Sequence, residues 1–478
     1  MPPRRWPISL CPCHTASVTF TGGLRQAGAG LLGTMVVVLP AFWTMGQLTA
    51  WWRPSLTSVV LAVMLGLSLP RALAAIPTAR WPGAALAVIV ASAVASTLAM
   101  LIAGDGWLRI VGAAGFSLVV CLPVWLRRRG AAWRSYAVAA GLPFVAVLVT
   151  PMPTQPTWQD VVWVLVATVA ALVWALAAAG LRKLGMGPVS TGSVSTGSVS
   201  TGSVSTSSVS TSSTDGSAGM RPSSDTRLAI QLALAVGCAF TAAFFIDPHH
   251  YSWAVLTALL VSSNNRGRGD VLWKGTQRLV GALVGAALAT LFIGQLPAGD
   301  SRAVVAVFAV IALAAALRPF GYAYWAACIT AGLAFLYAFL GESGPSLMAG
   351  RLLGIAVGGV LAIAVSWLVL PLRTTTVVRS RVTKVLTAAS AALSTMRGGG
   401  VPNVDALRTA RAELEKLRPT VRAAHIFGIG AARTLAPLVD SALDLAGEVT
   451  SYATSRAEAQ AVRAAANRVI GLRDALRA

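Results

Sequence analysis

The residues of this chain with types suited to chemistry are few, and nearly all are cationic. Arg266, Arg268, Lys274 and Arg278 crowd a stretch between two apolar segments, with Asp270 the only carboxylate among them. A guanidinium pairs a carboxylate in two-point geometry, so this pattern points to binding of an organic anion rather than to bond-breaking catalysis. Arg80 and Arg351 stand in comparable positions beside glycine-rich apolar runs, and with Lys274 and Arg278 they are the candidate contacts for an anion. Trp253 lies inside a short apolar segment just before the junction and is the aromatic placed to face a cavity. Arg278 has a plainer reading as a topology signal whose head reaches water at the membrane surface.

Several chemistries are excluded by what is missing. The four lysines (Lys183, Lys274, Lys384 and Lys416) are never followed by Ser or Thr, so there is no Walker A phosphate loop. The four histidines form no metalloprotease helix motif, and Cys11, Cys13 and His14 are too few and too close for a zinc site. No nucleophile–base set is visible, so the chain reads as a non-enzyme without metal or cofactor. No carboxylate lies deep in an apolar run, which leaves no Asp/Glu proton relay in evidence. Asp247, His249 and His250 cluster at a span end and read as a wetted loop.

The elements that must position these cations are membrane helices. The 478 residues are 56% hydrophobic and 11% charged, against about a quarter charged in soluble proteins. Only eight acidic residues fall in the first 372 positions, too few for a soluble surface. The net charge of +22 sits largely in short loops, the pattern of topology signals rather than of nucleic-acid binding. A span needs about 20 apolar residues. Candidates are 24–42, 55–69, 83–103, 107–126, 135–150 and 158–181, then 228–246, 251–263, 270–294, 302–317, 321–340 and 346–370. Basic residues distribute so that both termini are cytoplasmic. No signal peptide is visible, and residues 1–23 read as a cytoplasmic segment.

The chain reads as two six-helix membrane halves, 24–185 and 227–372, joined by a flexible linker, 186–226, built on the unit VSTGS or VSTSS. The offset that carries Arg80-x-x-Gly83 onto Arg278-x-x-Gly281 gives both halves the same order of spans, a parallel internal repeat. In each half the second span, 55–69 and 251–263, is short and bracketed by breakers, which marks it as a place for unwound backbone around a transport site. Lys274, Arg278, Gly281 and Gly285 share one helical stripe, and Gly350, Gly354 and Gly358 form another with Arg351 beside it. Such glycines permit close helix packing. Residues 373–478 carry sixteen basic and eight acidic residues and apolar stripes at helical spacing, such as Val382, Val385, Leu386, Ala389 and Leu393. They read as a cytoplasmic helical domain, with Asn403 capping its second helix.

From Trp253 to Gly294 the sequence resembles the FUSC family, the fusaric acid resistance and aromatic acid exporter-like membrane proteins. The matching pieces are Trp253-Ala254, the Arg-Gly turn from Arg266 to Gly269 with Asp270 after it, and Arg278-x-x-Gly281-x-x-x-Gly285. Ala282 follows Gly281 where the family usually has Thr. The resemblance implies duplicated six-helix halves, cytoplasmic helical regions and export of aromatic carboxylic acids.

The resulting expectation is an all-α, multi-pass plasma-membrane protein of about twelve spans that carries small organic anions outward. Its partners would be the anion, the lipid bilayer and a further copy of itself in a homo-oligomer, with no nucleic acid. The competing expectation is a non-transporting membrane scaffold that acts through its basic cytoplasmic tail.

Overall fold

The computed structural model describes residues 20–52, 56–74, 76–150, 157–183, 224–248, 250–263, 265, 267–293, 297–318, 321–341, 345–370, 374–400, 402, 404–426, 432–455 and 459–477. Every regular element among them is helical. Expectations for Arg266, His249, Asn403, residues 1–19 and most of the linker lie outside the described residues.

The first membrane part holds α1 (Phe20–Trp52), α2 (Leu56–Ala74), α3 (Trp81–Ala103), α4 (Trp107–Leu126), α5 (Ala131–Ala140), α6 (Leu142–Val149) and α7 (Trp158–Lys183). The second holds α8 (Ser224–Ile246), α9 (Tyr251–Ser262), α10 (Arg268–Ile293), α11 (Ser301–Leu317), α12 (Tyr322–Phe339) and α13 (Pro345–Leu368). Nine of the described helices are long and apolar enough to cross a membrane, and three apolar stretches, Ser135–Val149, Tyr251–Ser262 and Ser301–Leu317, are shorter.

These helices put small residues inside and large apolar ones outside. In α10, Ala282, Ala286 and Ala289 are buried while Val280, Val284 and Leu288 are exposed. In α7, Ala167, Ala171 and Ala175 are buried while Val162, Val169 and Val173 are exposed. A soluble helix buries its large apolar side chains, so this inverted pattern is that of helices whose outer solvent is lipid. The chain is a multi-pass membrane protein.

Packing recurs in the two parts. α2 lies along α7 as α9 lies along α13; α1 touches α2 and α7 as α8 touches α9 and α13; α3 packs on α5 and α6 as α10 packs on α12. Between the parts, α4 meets α8 and α11 meets α1. Phe116 and Phe240 stack edge-on at 5.7 Å at the first of these seams, Phe42 and Phe308 at 4.9 Å at the second. The offset relating Arg80 to Arg278 also relates Phe42 to Phe240.

Two sequence expectations need correction. The segment 55–69 is not a short span: α2 runs for 19 residues through Pro70 to Ala74. Pro70 removes one helical N–H bond and crowds the carbonyl four residues back, yet α2 continues one further turn, to Ala74. The segment 135–150 is not continuous. It breaks at Gly141, where α5 ends and α6 begins with a proline in its first turn, Pro143. The interrupted elements are therefore α5–α6 and the short α9.

Helices α14 (Thr374–Arg397), α15 (Asp405–Glu415), α16 (Arg418–Ile426), α17 (Ala432–Ser455) and α18 (Ala459–Arg477) enclose a separate apolar cluster. Val382, Val385, Leu386, Ala389 and Leu393 are buried in it, as the helical stripe requires. Ion pairs rim it: Arg381 with Glu413, Arg418 with Asp440 at 2.7 Å and Arg468 with Glu448 at 2.6 Å. This bundle meets the membrane helices where α16 packs on α10.

Candidate functional site

α9 is the central strut of the second membrane part. From Trp253 to Ser262 only Leu260 escapes full burial. A helix apolar all round and this short must be surrounded by other helices. α10 and α13 close on it and on α12 through glycines. A side chain at Gly281 or Gly285 would run into the α12 backbone at Ala323 and Ala327. One at Gly354 would lie 3.0 Å from the Trp253 Cβ, and one at Gly358 would strike Ala254.

Each glycine pair carries an arginine one turn ahead of it. On a helix, residues i, i+3 and i+7 share a face. Arg278 thus stands on the stripe of Gly281 and Gly285, and Arg351 on the stripe of Gly354 and Gly358. The close approach that the glycines allow holds both guanidinium groups inside the bundle, 8% and 3% exposed. Arg278 donates from Nε to the Thr257 hydroxyl at 3.0 Å and from an Nη to the Tyr322 hydroxyl at 3.5 Å. Arg351 donates from Nη1 to the Thr330 carbonyl at 3.2 Å, and its guanidinium lies 4.1 Å from the centre of the Trp253 ring. Trp253 in turn stands edge-on to Tyr337, ring centres 6.0 Å apart. Thr257 and Trp253 are one turn apart on α9, so both arginines address the same face of that helix.

The electrostatics are unusual. Among the described residues no carboxylate lies within ion-pair distance of Arg278 or Arg351, and Arg351 Nε is buried without a hydrogen-bond partner. Burying an unpaired ion costs several kcal/mol after relaxation. A hydroxyl, a carbonyl and an aromatic face stabilise these charges only in part. The arrangement can accept an anion with fixed N–H donors, and the rings of Trp253, Tyr322 and Tyr337 can contact an apolar body beside it.

The other sequence candidates lie elsewhere. Lys274 pairs with Asp270 at 2.7 Å and donates to the Ser263 carbonyl at 3.3 Å. Asp270 is buried and accepts from the Thr420 hydroxyl of α16 at 3.2 Å, so this pair joins the α10 entrance to the C-terminal bundle. Gly269 is buried in the first turn of α10. Arg268 donates to the Trp367 carbonyl at 2.8 Å. Arg80 ends a 3-10 turn, Thr78–Arg80, before α3 in the first part and does not join Arg278 and Arg351. Its sequence match to Arg278 does not carry the same setting, because α10 starts ten residues ahead of Arg278 while α3 starts directly after Arg80.

Thr257, Thr330 and Tyr337 were not singled out by sequence reasoning, and Tyr322 reads from sequence as an interfacial anchor near a span end. One signal was available: the pattern Arg-x-x-Gly-x-x-x-Gly occurs at both Arg278 and Arg351.

No curated protein and no solved structure matches the chain. The family model for fusaric acid resistance protein-like proteins matches residues 232–365. That interval begins within α8, ends within α13 and contains Trp253, Arg278 and Arg351 with every side chain they touch. Together with the apolar helices it points to a membrane transporter: residues 232–365 match the FUSC model, and both buried arginines fall within the match.

Proposed function

We propose that the protein exports small organic anions, aromatic carboxylates foremost, and that Arg278 and Arg351 bind the carboxylate in transit. The observation that carries this reading is the pair of buried guanidinium groups on one face of α9 with no carboxylate partner among the described residues. A monoanion between them would satisfy free N–H donors and offset the desolvation of both cations. The flanking aromatic side chains favour an aromatic over a purely polar anion. Lys274 is neutralised by Asp270 in this state, so the working cations are Arg278 and Arg351, with Arg80 acting as a surface cation of the first half.

The wider layout follows the same proposal. The nine long and three shorter apolar stretches make twelve spans. The recurring packing and the two edge-on phenylalanine seams support two six-helix repeats related by an axis along the membrane normal. The excess of arginine in alternate loops supports a cytoplasmic setting for both termini and the 373–478 domain, and the proposed export assigns the protein to the plasma membrane. The scaffold alternative gains nothing from the buried arginines, because a scaffold has no use for unpaired charge inside the bundle.

The test is flux in proteoliposomes with a panel of aromatic and dicarboxylic acids, with and without a pH gradient. Saturable uptake of an aromatic acid that falls at least tenfold in both Arg278→Gln and Arg351→Gln supports the assignment. Equal flux in wild type and both variants, or no flux from folded protein, overturns it.

A further inference from the structure

A cleft of about 780 Å³, including its open mouth, lies between α1 and α2 on one side and α11 and α12 on the other. Its wall is apolar throughout; Phe42, Met64, Phe308, Ile311, Leu333 and Leu336 contribute most of the bulk. Water in such a space would have no polar partners, and apolar cavities of this kind take up apolar molecules instead. The cleft is not part of the arginine site. α12 stands between them, with Tyr322 and Thr330 bonded to the arginines and Leu333 and Leu336 turned to the cleft.

The matching place at the other seam is filled. There Phe144 of α6 packs edge-on against Phe116 at 5.3 Å, and Phe244 and Tyr251 each lie 5.8 Å from Phe240. At the Phe42–Phe308 seam the neighbouring helix, α12, offers Gly332 and Cys328 to the cleft. One seam is closed by the chain's own rings, and its counterpart is shaped to be closed by something else.

A cation stands beyond one end. Arg318, directly after α11, holds its guanidinium 4.9 Å from the centre of the Trp325 ring. Trp325 packs against the apolar cluster of Val38, Val63, Leu67 and Ile311, and Val63 and Ile311 of that cluster also line the cleft. Among the described residues no carboxylate pairs with Arg318. The lining residues of α12 run from Cys328 to Leu340, which at 1.5 Å per residue is about 18 Å of helix. The wall residues Phe42 and Val304 are themselves partly exposed, so the cleft opens on the outer surface of the helices.

We propose that this cleft binds an anionic bilayer lipid, with an acyl chain lying along α12 and the headgroup phosphate on Arg318. A small aromatic acid does not fit the same description, since it would fill a fraction of the length and leave either its carboxylate or Arg318 without a partner. The site is independent of Arg278 and Arg351.

Phosphatidylglycerol carrying a photoreactive diazirine in its acyl chain tests this, with identically labelled phosphatidylcholine as the uncharged-head comparison. The full-length protein is reconstituted with each, irradiated, and mapped by peptide mass spectrometry. Phosphatidylglycerol should label the Met64, Cys328 and Leu336 segments at least fivefold more than phosphatidylcholine. Arg318→Gln should remove that preference and Arg318→Lys retain it. Val63→Trp, which fills the cleft, should abolish labelling by both lipids, while Arg278→Gln leaves labelling unchanged even if it stops flux. Equal labelling by both lipids, labelling confined to the Leu39, Trp43 and Val305 surface, or displacement of the lipid by free benzoate would each overturn the assignment. Should Val63→Trp fail to fold, Gly332→Leu serves instead, since a Cβ at that position meets only Val310 at 3.7 Å.

Discussion

Replacing Arg351 by Gln separates a transport arginine from a structural one, because the two roles predict opposite signs. The guanidinium is 3% exposed, makes a hydrogen bond to the Thr330 carbonyl and lies over Trp253. The hydrogen bond is worth about 1.5–3 kcal/mol and the ring contact about 0.5–2 kcal/mol. Against them stands a desolvation penalty of several kcal/mol for a buried ion with no counter-charge. Gln keeps a donor for Thr330 and removes the ion. The ligand-free variant should therefore melt at the wild-type temperature or above it. Binding should move the other way. Losing one partner of a buried charge pair costs about 2–5 kcal/mol, a weakening of at least about 30-fold. The assay is thermal unfolding in detergent across a benzoate titration. Saturating ligand at about 100 times Kd stabilises the wild type by about 2.7 kcal/mol, and at the same concentration the variant should gain at most about 0.9 kcal/mol. A ligand-free variant that melts well below wild type, with its benzoate response intact, would refute the reasoning and make Arg351 a packing residue.

Other predictions test the elements around the site. Gly285→Leu would drive a side chain into the α12 backbone at Ala327, so folded yield should collapse, whereas Gly180→Ala, which meets nothing within 4 Å, should leave it unchanged on size-exclusion chromatography. Thr420→Val removes the hydroxyl that bonds buried Asp270, and should lower stability by about 1 kcal/mol and raise hydrogen exchange in the first turn of α10. The side-chain hydrogen bond from Arg302, then the backbone one, holds the Asp300 carboxyl below its ordinary value of 3.8. This cap of α11 is therefore fully present above that pH and is lost as pH falls through the lowered value; protection of the start of α11, taken relative to the intrinsic exchange rate at each pH, should be unchanged from pH 7 to 5 and fall only in stronger acid.

Composition and hydropathy sufficed for the membrane helices because lipid imposes length and apolarity on each span directly. They did less well with interruptions. Pro70 looked like a stop, yet α2 continues one turn past it to Ala74. Gly141 looked ordinary, yet followed closely by Pro143 it divides α5 from α6. Both depend on where a breaker falls relative to its helix end, and that position is set by packing partners distant in sequence. The arginines show the same division. That Arg278 and Arg351 would lie on glycine stripes was readable from the spacing of the sequence. That Lys274 would be neutralised, that Arg80 would stand apart, and that Thr257 and Thr330 would hold the guanidinium groups all depend on which helices meet.

The glycine stripes connect the local pattern to the site. An arginine one turn ahead of a glycine pair is carried toward whatever the glycines touch. With Gly281 and Gly285 on α12, and Gly354 and Gly358 on α9, the helices α10 and α13 deliver their cations to neighbouring turns on one face of α9. Neither stripe alone would make an anion site, since a single buried guanidinium can be satisfied by neutral dipoles. Two that converge with no carboxylate partner among the described residues leave a net positive interior, and it is this charge that the proposed export function matches with a small anion.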